Sequence, residues 1–279
     1  DVRDGGDRLE NLEKMINAVE ETQKRGLNRA EHRLHLRCEL PHHTTLPLFE
    51  KLVGREPVSL VSLMDHSPGQ RQFANIEKYR EYYQGKYALN DAEMARYEEE
   101  QLQLAARWSQ PNRLSIAAMC RDRNIALASH DDATHDHVRE SHQLGSVIAE
   151  FPTTFEAAEA SRKHGMNVLM GAPNIVRGGS HSGNVAASKL ASLGLLDILS
   201  SDYYPASLLD AAFRVADDEG NSFTLPQAIR LVTKNPASAL NLHDRGEIAE
   251  GKRADLVLAH RKGEHIHIDH VWRQGKRVF

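Results

Sequence analysis

Short apolar runs alternate along this chain with segments whose apolar residues recur at helical spacing. The first helical pattern runs from Leu9 to Val19 and predicts a helix that stops near Gly26, a residue type that often ends helices. A short strand is then predicted at 34–38, and the apolar run at 58–64 predicts another, on either side of a helical pattern at 46–53. This alternation is typical of βα units, in which neighbouring strands run parallel.

The same alternation continues through the second half of the chain. Apolar runs predict strands at 125–129, 146–150, 167–170 and 197–201, which brings the number of strands to six. Thr153 and Glu156 have the spacing of a capping box and predict a helix that ends near Gly165. Further helices are predicted at 207–216 and 226–240.

Two segments depart from the βα pattern. Residues 71–124 are rich in Glu, Arg, Tyr and Gln, and we interpret them as a helical insertion with one long helix from 91 to 108. Near the C-terminus, 254–259 and 266–271 predict strands, and Gln274-Gly275 predicts the turn of a hairpin. The tail therefore indicates a small β portion outside the repeating βα units.

Together these elements predict an α/β fold, a TIM-like (β/α) barrel over residues 1–242 with a helical insertion at about 71–124. Residues 243–279 are predicted to form a small C-terminal β-sandwich portion. A closed barrel of this kind has eight strands, whereas the pattern supplies six. The chain opens at Asp1 without a methionine, so we expect the N-terminal strands, and the N-terminal part of the β-sandwich, to be absent from it.

Composition narrows the classes of function. The 279 residues are 40% hydrophobic and 27% charged with a net charge of -4, which is ordinary for a globular protein and argues against a nucleic-acid partner. No apolar run approaches the ~20 residues that a membrane span needs. Two cysteines form no disulfide framework and favour the reducing cytoplasm. Homo-oligomerisation stays open.

Side chains able to bind a metal follow four of the predicted strands: Glu39, His66, His130 and Asp202. In a parallel barrel the carboxyl ends of the strands converge on one face, where active sites lie. Histidine and carboxylate ligands suit Zn²⁺ or a similar divalent ion, which lowers the pKa of bound water to about 7. We therefore predict a metal-dependent hydrolase.

Each of these residues also has a simpler interpretation. Glu39 could be a solvated loop carboxylate, and His66 could be a plain turn residue because Pro68 and Gly69 follow it. Three consecutive polar residues from His130, placed after an apolar run, are costly unless they are used. Asp202 has a similar setting, and the four together are more specific than any one of them.

A donor-rich loop is the second distinctive feature. Its candidate substrate-binding residues are Arg177, Gly178, Gly179, Ser180, His181 and Asn184. Backbone N–H groups of such a loop can approach a phosphate, and a following helix N-terminus favours anions. A plain mobile loop is the alternative; Arg177 and His181 favour an anionic substrate.

Resemblance to a known family adds to this picture. The segments 233–242, 245–248 and 250–257 resemble the C-terminal pattern of the amidohydrolase superfamily. The segments 36–39, 64–70, 128–132, 171–184 and 200–205 are similar to the ribosyl-triphosphate diphosphatases of the carbon–phosphorus lyase pathway, and the likeness runs from Asp1 to Phe279. This resemblance implies hydrolysis of α-D-ribose 1-methylphosphonate 5-triphosphate to diphosphate and the 5-phosphate, in phosphonate catabolism.

The resemblance also implies roles for particular residues. Glu39 becomes a shared acidic ligand, His66 and His130 become histidine ligands, and Asp202 becomes a ligand or proton shuttle. The implied cofactor is one or two divalent ions, Zn²⁺ in the first place with Mn²⁺ as an alternative. The superfamily pattern also places a His-x-His at the end of the first barrel strand, and none occurs here before Glu39.

Two other functions remain open at this point. A related hydrolase acting on a C–N bond, a deaminase or deacetylase, could use the same metal site because fold alone does not fix the reaction. The chain could instead be a non-catalytic, metal-stabilised subunit whose contact surface is the polar segment 71–124.

Overall fold

The computed structural model describes residues 7–180, 183–263 and 265–279, with side chains from Asn11 onward. The strands are β1 (Leu34–Glu39), β2 (Val58–Met64), β3 (Ala126–His130), β4 (Ile148–Glu150), β5 (Asn167–Gly171), β6 (Ile198–Ser200), β7 (Leu256–Lys262), β8 (His265–Arg273) and β9 (Lys276–Arg277). The helices are α1 (Asp7–Lys24), α2 (Thr45–Leu52), α3 (Ile76–Tyr87), α4 (Asp91–Asp122), α5 (His135–Gln143), α6 (Phe155–Lys163), α7 (Ala172–Arg177), α8 (Ala187–Ser192), α9 (Ser207–Asp217), α10 (Leu225–Arg230) and α11 (Lys234–Ala239). A 3₁₀ turn covers Arg71–Phe73.

Six strands form one parallel sheet in the order β1-β2-β3-β4-β5-β6, which is also their order along the chain. Glu39 lies opposite Met64, and His130 lies opposite Glu150, so the carboxyl ends of the first four strands are neighbours. The six predicted parallel strands are thereby confirmed. Across the described ranges, β1 pairs with β2 alone and β6 with β5 alone.

The two faces of the sheet have different chemistry because successive side chains point to opposite sides. One face packs on helices through two buried clusters, centred on Val61, Leu63 and Leu127 in the first and on Val168 and Leu199 in the second. The other face is apolar towards the amino ends of the strands, where a third cluster contains Ala128, Ile148, Leu169 and Ile198. Towards the carboxyl ends that second face becomes polar.

Helix α4 is longer than its prediction of 91–108, since it runs for 32 residues through Pro111 to Asp122. Proline usually interrupts a helix because it lacks an N–H. Here Ile116, Ala117 and Cys120 are buried against the sheet, and this packing outweighs the local preference. Although α4 is long, its sequence is polar, and none of the helices in the described ranges is apolar enough to cross a membrane.

The single helix predicted at 226–240 is wrong, because the structure has α10 and α11 there with a turn between them. The carbonyl of Leu231 accepts a hydrogen bond from the Leu199 N–H at 2.9 Å. The Leu231 carbonyl is therefore hydrogen-bonded to a strand of the parallel sheet instead of to the next turn of a helix. The predicted cap at Thr153 is also displaced by one residue, since Thr154 accepts the hydrogen bond from the Ala157 N–H that caps α6.

The C-terminal strands form a separate antiparallel sheet in the order β7-β8-β9. Gln274 and Gly275 connect β8 to β9 with φ of 51° and 76°. Two consecutive positive φ values are what a two-residue hairpin of the primed type needs. The predicted hairpin at this position is confirmed.

Gly246 offers a test of local packing before β7. Its φ is +90°, and an added Cβ would lie 2.8 Å from the Lys234 Cα and 3.0 Å from the Ala237 Cβ. Gly251 has a similar φ of +77°, but an added Cβ there would meet nothing within 4 Å. Both Gly→Ala substitutions incur the strain of a positive φ, whereas Gly246→Ala also overpacks its site. We expect Gly246→Ala to cost about 1–3 kcal/mol more than Gly251→Ala in urea unfolding; equal losses would contradict the described packing.

Glu31 links the segment before β1 to the segment between α11 and β7. Its Oε2 accepts hydrogen bonds from Arg253 Nη1 at 2.6 Å and Arg245 Nη1 at 3.1 Å. Burial raises the pKa of Glu31, but the two arginines outweigh burial and lower the pKa from 4.5 to about 2. The carboxylate therefore stabilises the fold above pH 4.5, and this contribution disappears as the pH falls towards 2.

We expect Glu31→Gln to destabilise the protein at pH 7, with a difference from the wild type that shrinks between pH 4.5 and pH 2. The measurement is the urea midpoint of both proteins across that range. Glu81→Gln is the control, because Glu81 is exposed and is not part of the group formed by Glu31, Arg245 and Arg253. A difference between Glu31→Gln and wild type that stays constant down to pH 3 would refute the proposed linkage.

Candidate metal centre at the carboxyl ends of the strands

Two histidines and an aspartate meet where the carboxyl ends of β2 and β3 adjoin. His130 is the last residue of β3, Asp131 follows it, and His66 lies two residues beyond β2. One ligand atom from each of the three lies within 4.8 Å of the others. We refer to His66, His130 and Asp131 as the ligand cluster.

His66 is held by a carboxylate on each side. Its Nδ1–H donates to Glu39 Oε2 at 2.6 Å, and its backbone N–H donates to Glu39 Oε1 at 3.1 Å. The Nε2 then faces Asp131 Oδ2 at 3.8 Å. Burial lowers the pKa of His66, but Asp131 and Glu39 outweigh it and raise the pKa to about 9. The same negative surroundings that favour a proton there would favour a metal cation.

His130 is oriented in the same way by the neighbouring strand. Its Nδ1 contacts Glu150 Oε2 at 2.7 Å, and its Nε2 lies 3.3 Å from Asp131 Oδ2. Burial raises the pKa of Glu150, but His130 more than offsets it and lowers the pKa to about 2. The ionised Glu150 can only accept, so Nδ1 carries a hydrogen, and in the neutral imidazole Nε2 then has the lone pair. A lone pair on Nε2 is what a metal ligand needs.

A polar chain continues from Glu150 along the inner face of the sheet. Ser62 Oγ donates to Glu150 Oε2 at 2.8 Å, and His35 Nε2 contacts Ser62 Oγ at 2.5 Å. Since the single hydroxyl hydrogen of Ser62 goes to Glu150, His35 must donate through Nε2–H. These hydrogen bonds hold Glu150 beside His130 and favour its ionised form.

The donor set fits a divalent metal ion. Two imidazole nitrogens and a carboxylate oxygen are ligands that Zn²⁺ and similar ions accept. Each histidine also has its Nδ1 on a carboxylate, the arrangement that commonly orients metal-binding histidines. Glu39 touches the cluster through His66, and its predicted role as a direct metal ligand stays a prediction.

The ligand cluster forms part of the wall of a cavity of about 250 Å³. Asp202 lines the same cavity, as do four of the predicted substrate-binding residues: Arg177, Gly179, Ser180 and Asn184. Gly178 ends α7 with a φ of +83°. His181 lies outside the described residues. The cavity therefore brings the predicted loop and three of the four predicted ligand positions to one place.

Three residues just past the strand ends have left-handed backbone conformations. They are Asp131, Phe151 and Asp202, with φ of 56°, 57° and 49°. Residues other than glycine seldom adopt such angles, and those that do concentrate at functional sites. Asp202 is also packed tightly, since a Cβ at Gly171 would lie 3.3 Å from its Oδ2. Glycine at position 171 leaves room for this carboxylate.

Two buried arginines hold the segments that carry the ligand cluster. Arg113 on α4 donates to Asp65 Oδ2 at 3.3 Å and to Glu140 Oε1 at 2.6 Å. Arg71 pairs with Asp132 and donates to Glu140 Oε2 at 3.2 Å. Asp65 and Asp132 each adjoin a member of the ligand cluster in sequence. The insertion at 71–124 thus supplies both arginines that tie these segments together.

Sequence reasoning missed three residues of the site. Asp131 belongs to the polar run that starts at His130 but is not among the predicted ligands. Glu150 ends a strand as Glu39 does, and this position is the signal that identifies it. Arg37 lies in the middle of β1 and reaches His130 Nε2 through Nη2 at 3.0 Å. Nothing in the sequence near Arg37 distinguishes it, because the contact depends on β3.

A larger cavity, of about 780 Å³, lies at the other end of the sheet. Its lining includes Ala126, Val147, Asn167 and Asp197, which begin or precede strands β3 to β6. Among the described lining residues there is no histidine. Among the described residues, the one group of three side chains placed to bind a metal ion together lines the smaller cavity.

The known proteins that this chain resembles include a diphosphatase and deaminases. Residues 29–279 match the model of the amidohydrolase family. The chain is 89% identical over all 279 residues to the alpha-D-ribose 1-methylphosphonate 5-triphosphate diphosphatase of Escherichia coli strain K12, of which it covers 74%. It is 34% identical over 125 residues, 41% of this chain, to an adenine deaminase of Ligilactobacillus salivarius, of which that match covers 21%.

A solved adenosine deaminase from Xanthomonas campestris with bound zinc is similar at 17% identity and a TM-score of 0.47. That likeness covers 83% of this chain and 54% of the other. The family assignment rests on the match over residues 29–279 and on the near-identical relative. The chain belongs to the amidohydrolase family.

Proposed function

We propose that this protein hydrolyses α-D-ribose 1-methylphosphonate 5-triphosphate, releasing diphosphate and leaving the 5-phosphate. The observation that carries the proposal is the 89% identity to the Escherichia coli diphosphatase along the whole chain. In this reaction the oxygen of water bonds to phosphorus, and the anhydride bond to the departing diphosphate breaks. Two free, buried cysteines, Cys38 and Cys120, suit a reducing cytoplasm as the setting.

The ligand cluster would hold one or two divalent ions, with Zn²⁺ as the first choice and Mn²⁺ as the second. Such an ion lowers the pKa of water and withdraws charge from a phosphoryl oxygen. The His66 and His130 Nε2 atoms lie 3.8 Å and 3.3 Å from Asp131 Oδ2. Glu39 and Glu150 keep the two rings in the required orientation by accepting from Nδ1.

Asp202 is the proposed proton acceptor of the reaction, and it is also a predicted metal ligand. Asp202 lines the cavity that contains the ligand cluster, so a water held in that cavity is open to both. A positioned carboxylate that takes a proton from attacking water contributes through general base catalysis.

The loop after α7 is the proposed binding site for the polyphosphate. Arg177 Nη1 donates to the Tyr203 hydroxyl at 3.2 Å, and Ser180 Oγ accepts from the Asn184 N–H at 3.2 Å. These contacts hold the loop at the cavity wall. Gly178, Gly179 and His181 complete the proposed set of donors, in which the glycines let phosphate oxygens approach the backbone.

The parallel sheet is proposed to be the wall of a TIM-like (β/α) barrel. This barrel would comprise residues 1–242, with the helical insertion at about 71–124 and the β-sandwich portion at 243–279. Support comes from family membership and from six adjacent parallel strands alternating with helices. The ligand cluster then lies on the barrel face that carries active sites.

A second candidate is hydrolysis of a C–N bond, favoured by the local similarity to adenine deaminase. The same ligand cluster could direct water to carbon instead of phosphorus. A matched region of 125 residues supports this candidate less than the full-length match supports the first.

Product analysis separates the two candidates. The purified protein, supplied with Zn²⁺ or Mn²⁺, is incubated with the ribosyl triphosphate and followed by ³¹P NMR, while ammonia release from adenine is measured in parallel. We expect one diphosphate for each new 5-phosphate monoester and no ammonia. Ammonia release without diphosphate formation would replace the first candidate with the second.

A further inference from the structure

Arg37 reaches the ligand cluster from β1, a strand that is separated from β3 by β2. It projects from β1 on the same face as Glu39, two residues away, and both belong to the alternation that faces the cavity. Its guanidinium crosses β2 and donates from Nη2 to His130 Nε2 at 3.0 Å. Arg37 is exposed and lines the cavity, so a ligand in the cavity can reach it.

The contact between Arg37 and His130 occupies Nε2, the His130 atom that would bind a metal ion. His130 Nε2 has one lone pair, because Nδ1–H is committed to Glu150. A metal ion on Nε2 would take that lone pair and release the Arg37 N–H. The positively charged guanidinium would then lie near the positively charged metal ion. It would need a negatively charged acceptor there.

Two nearby carboxylates, Glu39 and Glu150, are engaged by other donors, and a third, Asp131, belongs to the ligand cluster with its Oδ2 at 3.3 Å from His130 Nε2. Glu39 accepts twice from His66, and Glu150 accepts from His130 and Ser62. Across the described residues, no carboxylate forms an ion pair with Arg37 within 4.0 Å, whereas Arg33 earlier in the chain pairs with Glu31. An anionic substrate bound in the cavity would supply the acceptor that Arg37 lacks among the described residues.

We infer that Arg37 binds an oxygen of the phosphate that is attacked, next to the ligand cluster. The planar guanidinium offers paired N–H donors that match phosphate oxygens. Arg177 lines the same cavity from α7, after β5, so the two arginines approach from separate parts of the sheet. Arg37 then holds the phosphate at the ligand cluster, and Arg177 with its loop holds the rest of the polyphosphate. This inference rests on the proposed function, since it requires a phosphorylated substrate.

The test measures binding separately from turnover. Tripolyphosphate is titrated calorimetrically into the Zn²⁺-loaded protein and into Arg37→Gln and Arg37→Lys, and the metal content of each is measured. Arg121→Gln is the matched control, because Arg121 is exposed and lines the cavity at the opposite end of the sheet. We expect Arg37→Gln to weaken binding at least about tenfold with unchanged metal content, Arg37→Lys to weaken it less, and the control to bind as the wild type does.

Kinetics provide a second readout. Arg37→Gln should raise the KM for the ribosyl triphosphate by at least the same factor as it weakens tripolyphosphate binding. Wild-type affinity for tripolyphosphate in Arg37→Gln, or loss of metal from that variant, would overturn the inference. Failure of the wild type to bind tripolyphosphate would also overturn it. Tripolyphosphate binding that depends on Arg37, without diphosphate release by the wild type, would instead refute the proposed reaction and leave the assignment of Arg37 intact.

Discussion

Replacing Asp202 with asparagine should lower kcat for diphosphate release by about 10²–10⁴-fold, the range expected when a positioned proton acceptor is lost. Asparagine keeps the shape of the side chain and tolerates the φ of 49° found there. The free energy of unfolding should therefore change little. The measurement pairs a diphosphate-release assay with urea unfolding of the same preparation.

Asp122→Asn is the control for Asp202→Asn, because Asp122 is exposed at the end of α4, away from the cavity. It should retain wild-type kcat. Full activity in Asp202→Asn would remove Asp202 from the proposed mechanism.

Replacing Asp132 with alanine should have the largest effect on stability, a loss of about 3–5 kcal/mol in the free energy of unfolding. Asp132 is 1% exposed and Arg71 is 3% exposed, and the two side chains pair. Removing the carboxylate leaves a buried guanidinium with Glu140 as its remaining close partner at 3.2 Å. It also removes the acceptor of the Ser141 hydroxyl hydrogen bond at 3.3 Å.

The matched control breaks an ion pair on the protein surface. On α6, Lys163 Nζ lies 2.8 Å from Glu159 Oε2; Lys163 is exposed and Glu159 is partly exposed. Glu159→Ala should cost no more than about 0.5 kcal/mol, because water screens such a pair. Urea unfolding of both variants gives the comparison. A loss in Asp132→Ala within about 1 kcal/mol of the control would contradict the role given to the buried arginines.

The sequence predicted the sheet well because its pattern is local. Most of the six parallel strands are short apolar runs between polar segments, and the hairpin at Gln274 and Gly275 follows from the turn residues alone. The errors arose where tertiary contacts outweighed local preference. Burial of Ile116 and Cys120 carries α4 through a proline, and the carbonyl of Leu231 serves Leu199 instead of a helix.

The candidate site was predictable as far as polar residues at strand ends reveal it. His66, His130 and Asp202 were identified in this way, and all three line one cavity. The contact between Arg37 and His130 could not be predicted, because it joins two strands that are separated by β2. The arginines of the insertion were hidden for a similar reason, since their acidic partners lie on other elements.

Titration of metal-free protein with Zn²⁺ tests the central claim most directly, with bound metal and diphosphate release measured in the same samples. Diphosphate release should be absent without the ion, rise in proportion to bound Zn²⁺, and saturate at one or two ions per chain. His130→Ala should lose both tight binding and activity, because it removes one of the three members of the ligand cluster. Diphosphate release by the metal-free protein, or unchanged metal binding in His130→Ala, would contradict a metal centre at the carboxyl ends of these strands.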